Sequence, residues 1–300
     1  MNREDTRSTI PAVSIGMPVY NGEAYIREAL DSLLGQTFID FELIISDNAS
    51  TDGTEIICRG YASGDSRIRY VRQDRNVGAV GNFEFVLNEA RGEYFMWAAH
   101  DDLQGSEDYL AKLVGVIRNG GYGLVFPAIE AISTSADGRS HVIRTHVLDR
   151  FLRCKTREDY CIASIHHYFQ IYGLFRRASL LENLPYMRRA GRTLNCDTIL
   201  VQAMSVNSSV CYVPTATKIY RIHADQASGT INQFGRLVDY LEVTWLCVKF
   251  WIREADVSFK TRVRAMFALL HCNGYGIVYR ALRPVKQFSL RIIGRRLAHS

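Results

Sequence analysis

Two hydrophobic rhythms alternate along the first hundred residues. The run Val13-Ser14-Ile15-Gly16-Met17 has the length of a buried strand and stops at Pro18. From Ala24 to Leu34, the residues Ile26, Ala29, Leu30, Leu33 and Leu34 recur at helical spacing. Phe41–Ile45 reads as the next strand, and Ser50–Glu55 places capping residues ahead of Ile56 and Ile57. Ile68–Val71 is a third strand, Val77–Ala90 a third amphipathic helix, and Tyr94–Ala98 a fourth strand. Strands and helices that alternate with short connections predict an α/β fold, with a parallel sheet covered by helices on both faces. Ligands of such sheets bind beyond the carboxyl ends of the strands. Four stretches therefore matter: Pro18–Asn21, Ser46–Ser50, Gln73–Asn76 and Ala99–Asp102.

The middle is less regular. Leu124–Phe126 and Tyr172–Phe175 read as strands, 127–150 as a polar excursion or hairpin, and a helix follows from Ala178. Asp197–Val206 looks helical, Val210–Val213 and Thr217–Tyr220 look like strands, and from Ile231 onward the pattern is helical with breaks at Gly274, Gly276 and Pro284.

Composition narrows the class. The chain has 300 residues, 47% hydrophobic and 22% charged, which excludes disorder for its bulk. Its seven cysteines include no Cys-x-x-Cys pair, so neither a zinc knuckle nor a disulfide framework is indicated, and a reducing, cytoplasmic setting is expected. No signal peptide and no membrane span are expected. The net charge of +5 is uneven: residues 257–300 hold nine Lys or Arg and no acid, leaving −4 on residues 1–256. That basic, amphipathic tail fits an anionic membrane surface, peripheral on the inner face of the cell membrane, or a helix packed on the body with a solvated basic face. No nucleic-acid readout module is seen.

Candidate chemistry sits at the predicted strand ends. Asp101 and Asp102 can hold a hard cation such as Mg²⁺ or Mn²⁺, which takes one or two protein carboxylates plus substrate phosphates, or can cap a helix near Ser106. Asp47 can hydrogen-bond a base or ribose, or serve a capping loop; Tyr20 can stack on a base, or sit in an ordinary turn.

Together these segments resemble the family 2 glycosyltransferases, enzymes of the GT-A fold that use nucleotide-diphosphate sugars. The resemblance runs through Val13–Asn21, Glu42–Thr54, Asn76-Val77-Gly78, Asn82, Ala90–Tyr94 and Asp101-Asp102, and more weakly through Gly173–Arg176, Asp197 and Tyr220–His223. It implies a mainly parallel Rossmann-like sheet flanked by helices, with a C-terminal helical extension. The expected divisions are 1–105 for the nucleotide sugar, 106–228 for the acceptor and 229–300 for the basic helical region.

The resemblance also implies roles. Pro18, Tyr20, Asn21 and Asn76 line the nucleotide pocket, and Asp47 contacts the nucleobase. Asp101 ligates the divalent cation, Mn²⁺ or Mg²⁺, that bridges the diphosphate, and Asp102 sits near the donor sugar. Arg221 and His223 belong to a late segment closing over the donor, with Arg221 on the nucleotide diphosphate and His223 on the metal. Asp197 stands where the family places its base, with an N-cap as its other reading; Glu182 and Asp159 are weaker candidates, and His166-His167 has no acidic partner at ligand spacing.

Two departures are visible: Ala99 replaces the first acid of the metal motif, and Asn48 replaces the second acid after Asp47. The expected reaction is an inverting transfer, with a UDP-sugar as expected donor, to a hydroxyl of a saccharide or lipid-linked acceptor in cell-surface polysaccharide or lipopolysaccharide synthesis. Rival readings are a sugar-nucleotide nucleotidyltransferase, disfavoured by the lack of a cation in Pro18–Gly22, and a non-catalytic sugar-nucleotide binder.

Overall fold

The computed structural model describes residues 10–134, 140–146, 149–165, 169–189, 196–223 and 242–269. In chain order the elements are β1 (Val13–Val19), α1 (Ile26–Leu34), β2 (Phe41–Asp47), α2 (Thr54–Gly64), β3 (Ile68–Arg72), α3 (Gly78–Asn88) and β4 (Tyr94–Trp97). There follow β5 (Leu103–Gln104), α4 (Tyr109–Gly120), β6 (Leu124–Thr134), β7 (Ser140–His146), α5 (Asp149–Leu152), α6 (Arg157–Ser164) and a 3₁₀ turn, Phe169–Tyr172. The series ends with β8 (Leu174–Arg176), α7 (Arg177–Arg189), α8 (Cys196–Asn207), β9 (Val210–Ile222), helical residues 242–249, a π-helical turn Phe250–Glu254 and helical residues 259–269.

One mixed sheet carries the fold, in the order β3-β2-β1-β4-β8-β6-β9-β5, with β7 hydrogen-bonded to β6. β3, β2, β1 and β4 are parallel, as the alternating pattern predicted. β8 then pairs antiparallel with both β4 and β6, β9 runs parallel to β6, and β5 closes the edge antiparallel to β9. β2 is buried at every position because helices cover both its faces, so it reads as one continuous apolar run. Its Glu42 tolerates burial by bonding Ser14 Oγ and the Arg91 guanidinium, which draws its carboxyl down against the opposing effect of desolvation.

The core has two sides. Ile15, Met17, Leu30, Leu43 and Leu113 pack under α1, α2 and α4; Phe95, Trp97, Phe126, Phe175 and Met204 pack under α3, α7 and α8. A third cluster joins α6 and α8 to the later helices through Ile199, Ala203, Cys247, Phe250 and Trp251, with the Trp251 indole donating to Gln202 Oε1 at 2.7 Å.

Several expectations sharpen. The 127–150 stretch contains the β6–β7 hairpin, and the two strands expected near 210 and 217 are one long strand whose pairing slips at Pro127/Ala128. β5 and α6 carried too little periodic signal to be read. Asp159 is occupied in the capping box of α6, exchanging bonds with Thr156. The residue preceding α4 is Asp108, so neither Asp101 nor Asp102 caps that helix. His166-His167, the 228/229 boundary and residues 270–300 lie outside the described residues.

Candidate active site

The first half of the site grows from the ends of β1 and β2, which run side by side with Pro18 opposite Ser46 and Val19 opposite Asp47. Beyond β2 the chain reverses through Ala49, whose φ of 60° is a left-handed conformation that costs a non-glycine residue about 1–2 kcal/mol. The reversal brings the Ser50 amide to Asp47 Oδ1 at 2.8 Å. Asp47 Oδ2 accepts from the Tyr70 hydroxyl at 2.7 Å and Arg72 at 2.9 Å, so the fully buried carboxylate is neutralised and held still.

Asn21, also left-handed at 52°, accepts the Thr51 amide with Oδ1 and donates its own amide to Ser50 Oγ. Asn48 reaches the other way: its amide group donates to Asn76 Oδ1, and its Oδ1 accepts the Val77 amide. Pro18 thus stands near the end of β1, Asn21 and Asn76 lie in loops hydrogen-bonded to the stretch that follows Asp47, and Tyr20 has 47% of its surface exposed. Asn48, where an acid is usual, here ties the 73–78 loop to the sheet.

The second half lies where β4 ends and β9 arrives. Side chains of a strand alternate between faces, and β9 uses that alternation to separate the adjacent acids. Arg221 and His223 take the α1 side. His223 Nε2 is 2.9 Å from Asp101 Oδ2, and its ring lies 4.5 Å from that of Tyr25. Arg221 is buried, donating to Glu28 Oε2 at 2.6 Å and to the Asp101 carbonyl at 3.1 Å, with its guanidinium 4.9 Å over the Tyr25 ring.

Lys218 and Tyr220 take the opposite side. The buried Lys218 ammonium lies 3.5 Å from Asp102 Oδ2 and 4.8 Å over the Tyr172 ring, while the Arg221 amide donates to Asp102 Oδ1. Burial pushes the Asp102 carboxyl up, and Lys218 opposes that shift. Burial likewise pushes His100, which shields Gly22, toward its neutral form.

Asp197 is half-buried in the first turn of α8. Burial pushes its carboxyl up to about 7, although backbone amides at the helix start favour the charged form. It lies inside the helix, one residue past Cys196, rather than at its N-cap, and it has the raised affinity for a proton that a base near neutral pH needs. Burial pushes the Tyr172 phenol well up, and the neighbouring carboxylates add to that shift. Glu182 is placed on α7, in a different element from Asp197. Sequence reading missed Tyr25, Glu28, Tyr70, Arg72 and Lys218, because their partners lie between about 23 and 198 residues away.

The donors fit a divalent cation of limited protein ligation. Among the described residues no group of three or more His, Cys, Asp or Glu is arranged to hold a metal. Asp101 Oδ2 and His223 Nε2, 2.9 Å apart, can both face one ion. Mg²⁺-type sites commonly complete their shell with water and substrate phosphates.

Residues 14–184 match the family described as Glycosyl transferase family 2. An uncharacterized glycosyltransferase of Rickettsia typhi is 42% identical over 93 residues, 31% of this chain and 28% of that protein, so the chain spans under a third of that relative's length. TarS 1–349 of S. aureus shares the fold, with a TM-score of 0.65 at 18% identity over 86% of this chain and 72% of that fragment; the fragment is also known in complex with UDP-GlcNAc. The mannosyltransferase PcManGT of Pyrobaculum calidifontis, in complex with GDP-Man and Mn²⁺, gives 0.57 at 19% identity over 97% of this chain and 81% of its own. The α/β sheet with its flanking helices is the GT-A architecture of these structures. With more than half its length matched to one family, the chain is a member of glycosyltransferase family 2.

Proposed function

We propose that this protein transfers a sugar from a nucleotide-diphosphate donor, a UDP-sugar being the first candidate, to a hydroxyl of a saccharide or lipid-linked acceptor, with inversion at the anomeric carbon. The observation that supports this reading is the pairing of Asp101 with His223 at 2.9 Å just beyond the end of β4.

The nucleotide lies over Pro18, Tyr20, Asn21 and Asn76, with Asp47 below at the nucleobase end. Asp101 and His223 would hold a divalent cation, Mn²⁺ or Mg²⁺, which would supply positive charge to the departing diphosphate. Arg221 serves this region by fixing the Asp101 carbonyl and, through its amide, Asp102 Oδ1 beside the donor sugar. Asp197 accepts the acceptor hydroxyl proton as that oxygen bonds to the anomeric carbon, and the bond to the diphosphate oxygen breaks with its electron pair. A well-placed base contributes roughly 10²–10⁴-fold.

Calorimetric titration with UDP, GDP, CDP and dTDP, each with and without Mn²⁺, tests the reading. Ion-dependent binding of one nucleotide, lost in Asp101→Asn, is expected; no binding to any of them refutes it.

The setting we infer is cell-surface polysaccharide synthesis at the cytoplasmic face of a membrane. Among the described residues no helix is long and apolar enough to cross a membrane. Phe259 and Phe267 are 81% and 69% exposed, with the exposed cations Lys260 and Arg264 between them, which favours contact of the basic tail with an anionic surface. Vesicle flotation of Phe259→Ser/Phe267→Ser checks this, and flotation equal to that of the parent chain removes the idea.

A further inference from the structure

The 3₁₀ turn Phe169–Tyr172 has no part in the chemistry above, yet Lys218, which faces Asp102, also lies over the ring of its Tyr172. β8 runs antiparallel to β4 with Phe175 opposite Phe95, so the residues just before β8 come level with the end of β4. α8, which carries Asp197, packs against the same turn. Tyr220 arrives from β9 on the Lys218 side. Its ring centroid is 6.5 Å from that of Tyr172 and 5.6 Å from that of buried Phe169, which meets it edge-on at 72°. Tyr172 and Tyr220 are both half-buried, and Lys218 braces one face of Tyr172.

A pyranose ring has hydroxyls around its rim and C–H bonds on its faces. It is recognised best by an aromatic surface beside fixed polar groups. Tyr172 and Tyr220 supply such an aromatic surface, beside the Lys218–Asp102 pair.

We propose that Tyr172 and Tyr220 form an aromatic platform that receives a pyranose ring between Asp101–His223 and Asp197 and helps to decide which sugar is handled. This rests on the transferase reading above. The ring can be that of the donor sugar or of the acceptor; the chemistry is the same and the test separates them.

The full chain is titrated, with Mn²⁺ present, against UDP and UDP-GlcNAc, against GDP and GDP-mannose, and, with nucleotide bound, against methyl pyranosides of glucose, N-acetylglucosamine, mannose and galactose. Tyr172→Leu and Tyr220→Leu keep apolar volume but remove the ring; Tyr172→Phe and Tyr220→Phe keep the ring. The Leu variants are expected to lose about tenfold in affinity for the sugar-bearing ligands, with UDP and GDP affinities within about twofold and the Phe variants close to the parent. A loss confined to nucleotide-sugars places the donor ring on the platform; a loss confined to methyl pyranosides places the acceptor ring there. Sugar affinities unchanged in both Leu variants, or nucleotide affinities falling in parallel with them, overturn the proposal. If the parent chain binds no nucleotide but takes up pyranosides in a ring-dependent way, the donor reading fails and the platform stands. If it binds neither, both fail.

Discussion

Replacing Asp197 with Asn removes a carboxyl that burial pushes up to about 7, and so acts on catalysis and stability in opposite directions. A carboxyl with its pKa raised in the folded state ionises first in the unfolded chain. The resulting penalty is absent below about pH 3.8, grows as pH rises toward 7 and is constant above. At roughly 1.36 kcal/mol for each pH unit between 3.8 and 7, its ceiling is about 4 kcal/mol. The side chain is only half-buried, and solvent screening reduces this to about 2 kcal/mol. Asn retains a capping oxygen for the helix start.

Asp197→Asn should therefore match the parent in urea unfolding near pH 4 and exceed it by about 2 kcal/mol at pH 8. It should lose transfer by at least about 10²-fold while still binding donor nucleotide. In the parent chain, transfer should rise with pH through about 7, as Asp197 passes from mostly protonated to mostly ionised. A variant that keeps full transfer, or that is less stable than the parent at pH 8, would show that Asp197 serves only the first turn of α8 and would refute the reasoning.

Two further perturbations probe the frame around the site. Lys218→Met leaves Asp102 buried without its cation, and breaking such a pair costs about 3–5 kcal/mol. Urea unfolding at pH 7.5 should show that loss, and a smaller one at pH 5, where Asp102 more readily takes up a proton; a cost below about 1 kcal/mol would contradict the pairing. Gly92→Ala places a Cβ 2.7 Å from the Ser14 amide nitrogen and 2.9 Å from the Val13 carbonyl carbon, where only backbone can yield. It should destabilise by about 1–3 kcal/mol in thermal unfolding and leave the activity of the folded fraction unchanged.

Much of the first half of the fold was legible along the chain. Val13–Met17, Phe41–Ile45 and Tyr94–Ala98 are apolar runs because central parallel strands are covered on both faces, and local composition records that directly. The strand-end rule then located Asp47, Asp101 and Asn21 without tertiary information. β5 and α6 escaped because a two-residue edge strand and a polar helix leave little periodic trace. The antiparallel turn of the sheet at β8 escaped because three residues carry no sign of strand direction.

The division of labour at the acid pair belongs to the tertiary structure. Asp101 and Asp102 look equivalent in sequence, and only the alternation of β9 gives one a histidine and the other a buried lysine. Arg221 reads as a free cation for the diphosphate until Glu28, 193 positions away, is seen to take its guanidinium. Residue type and spacing determined which groups could do chemistry, since those are local properties. Which of them meet, which are neutralised and which keep a raised pKa depended on long-range pairing and burial, and these exist only once the sheet has formed.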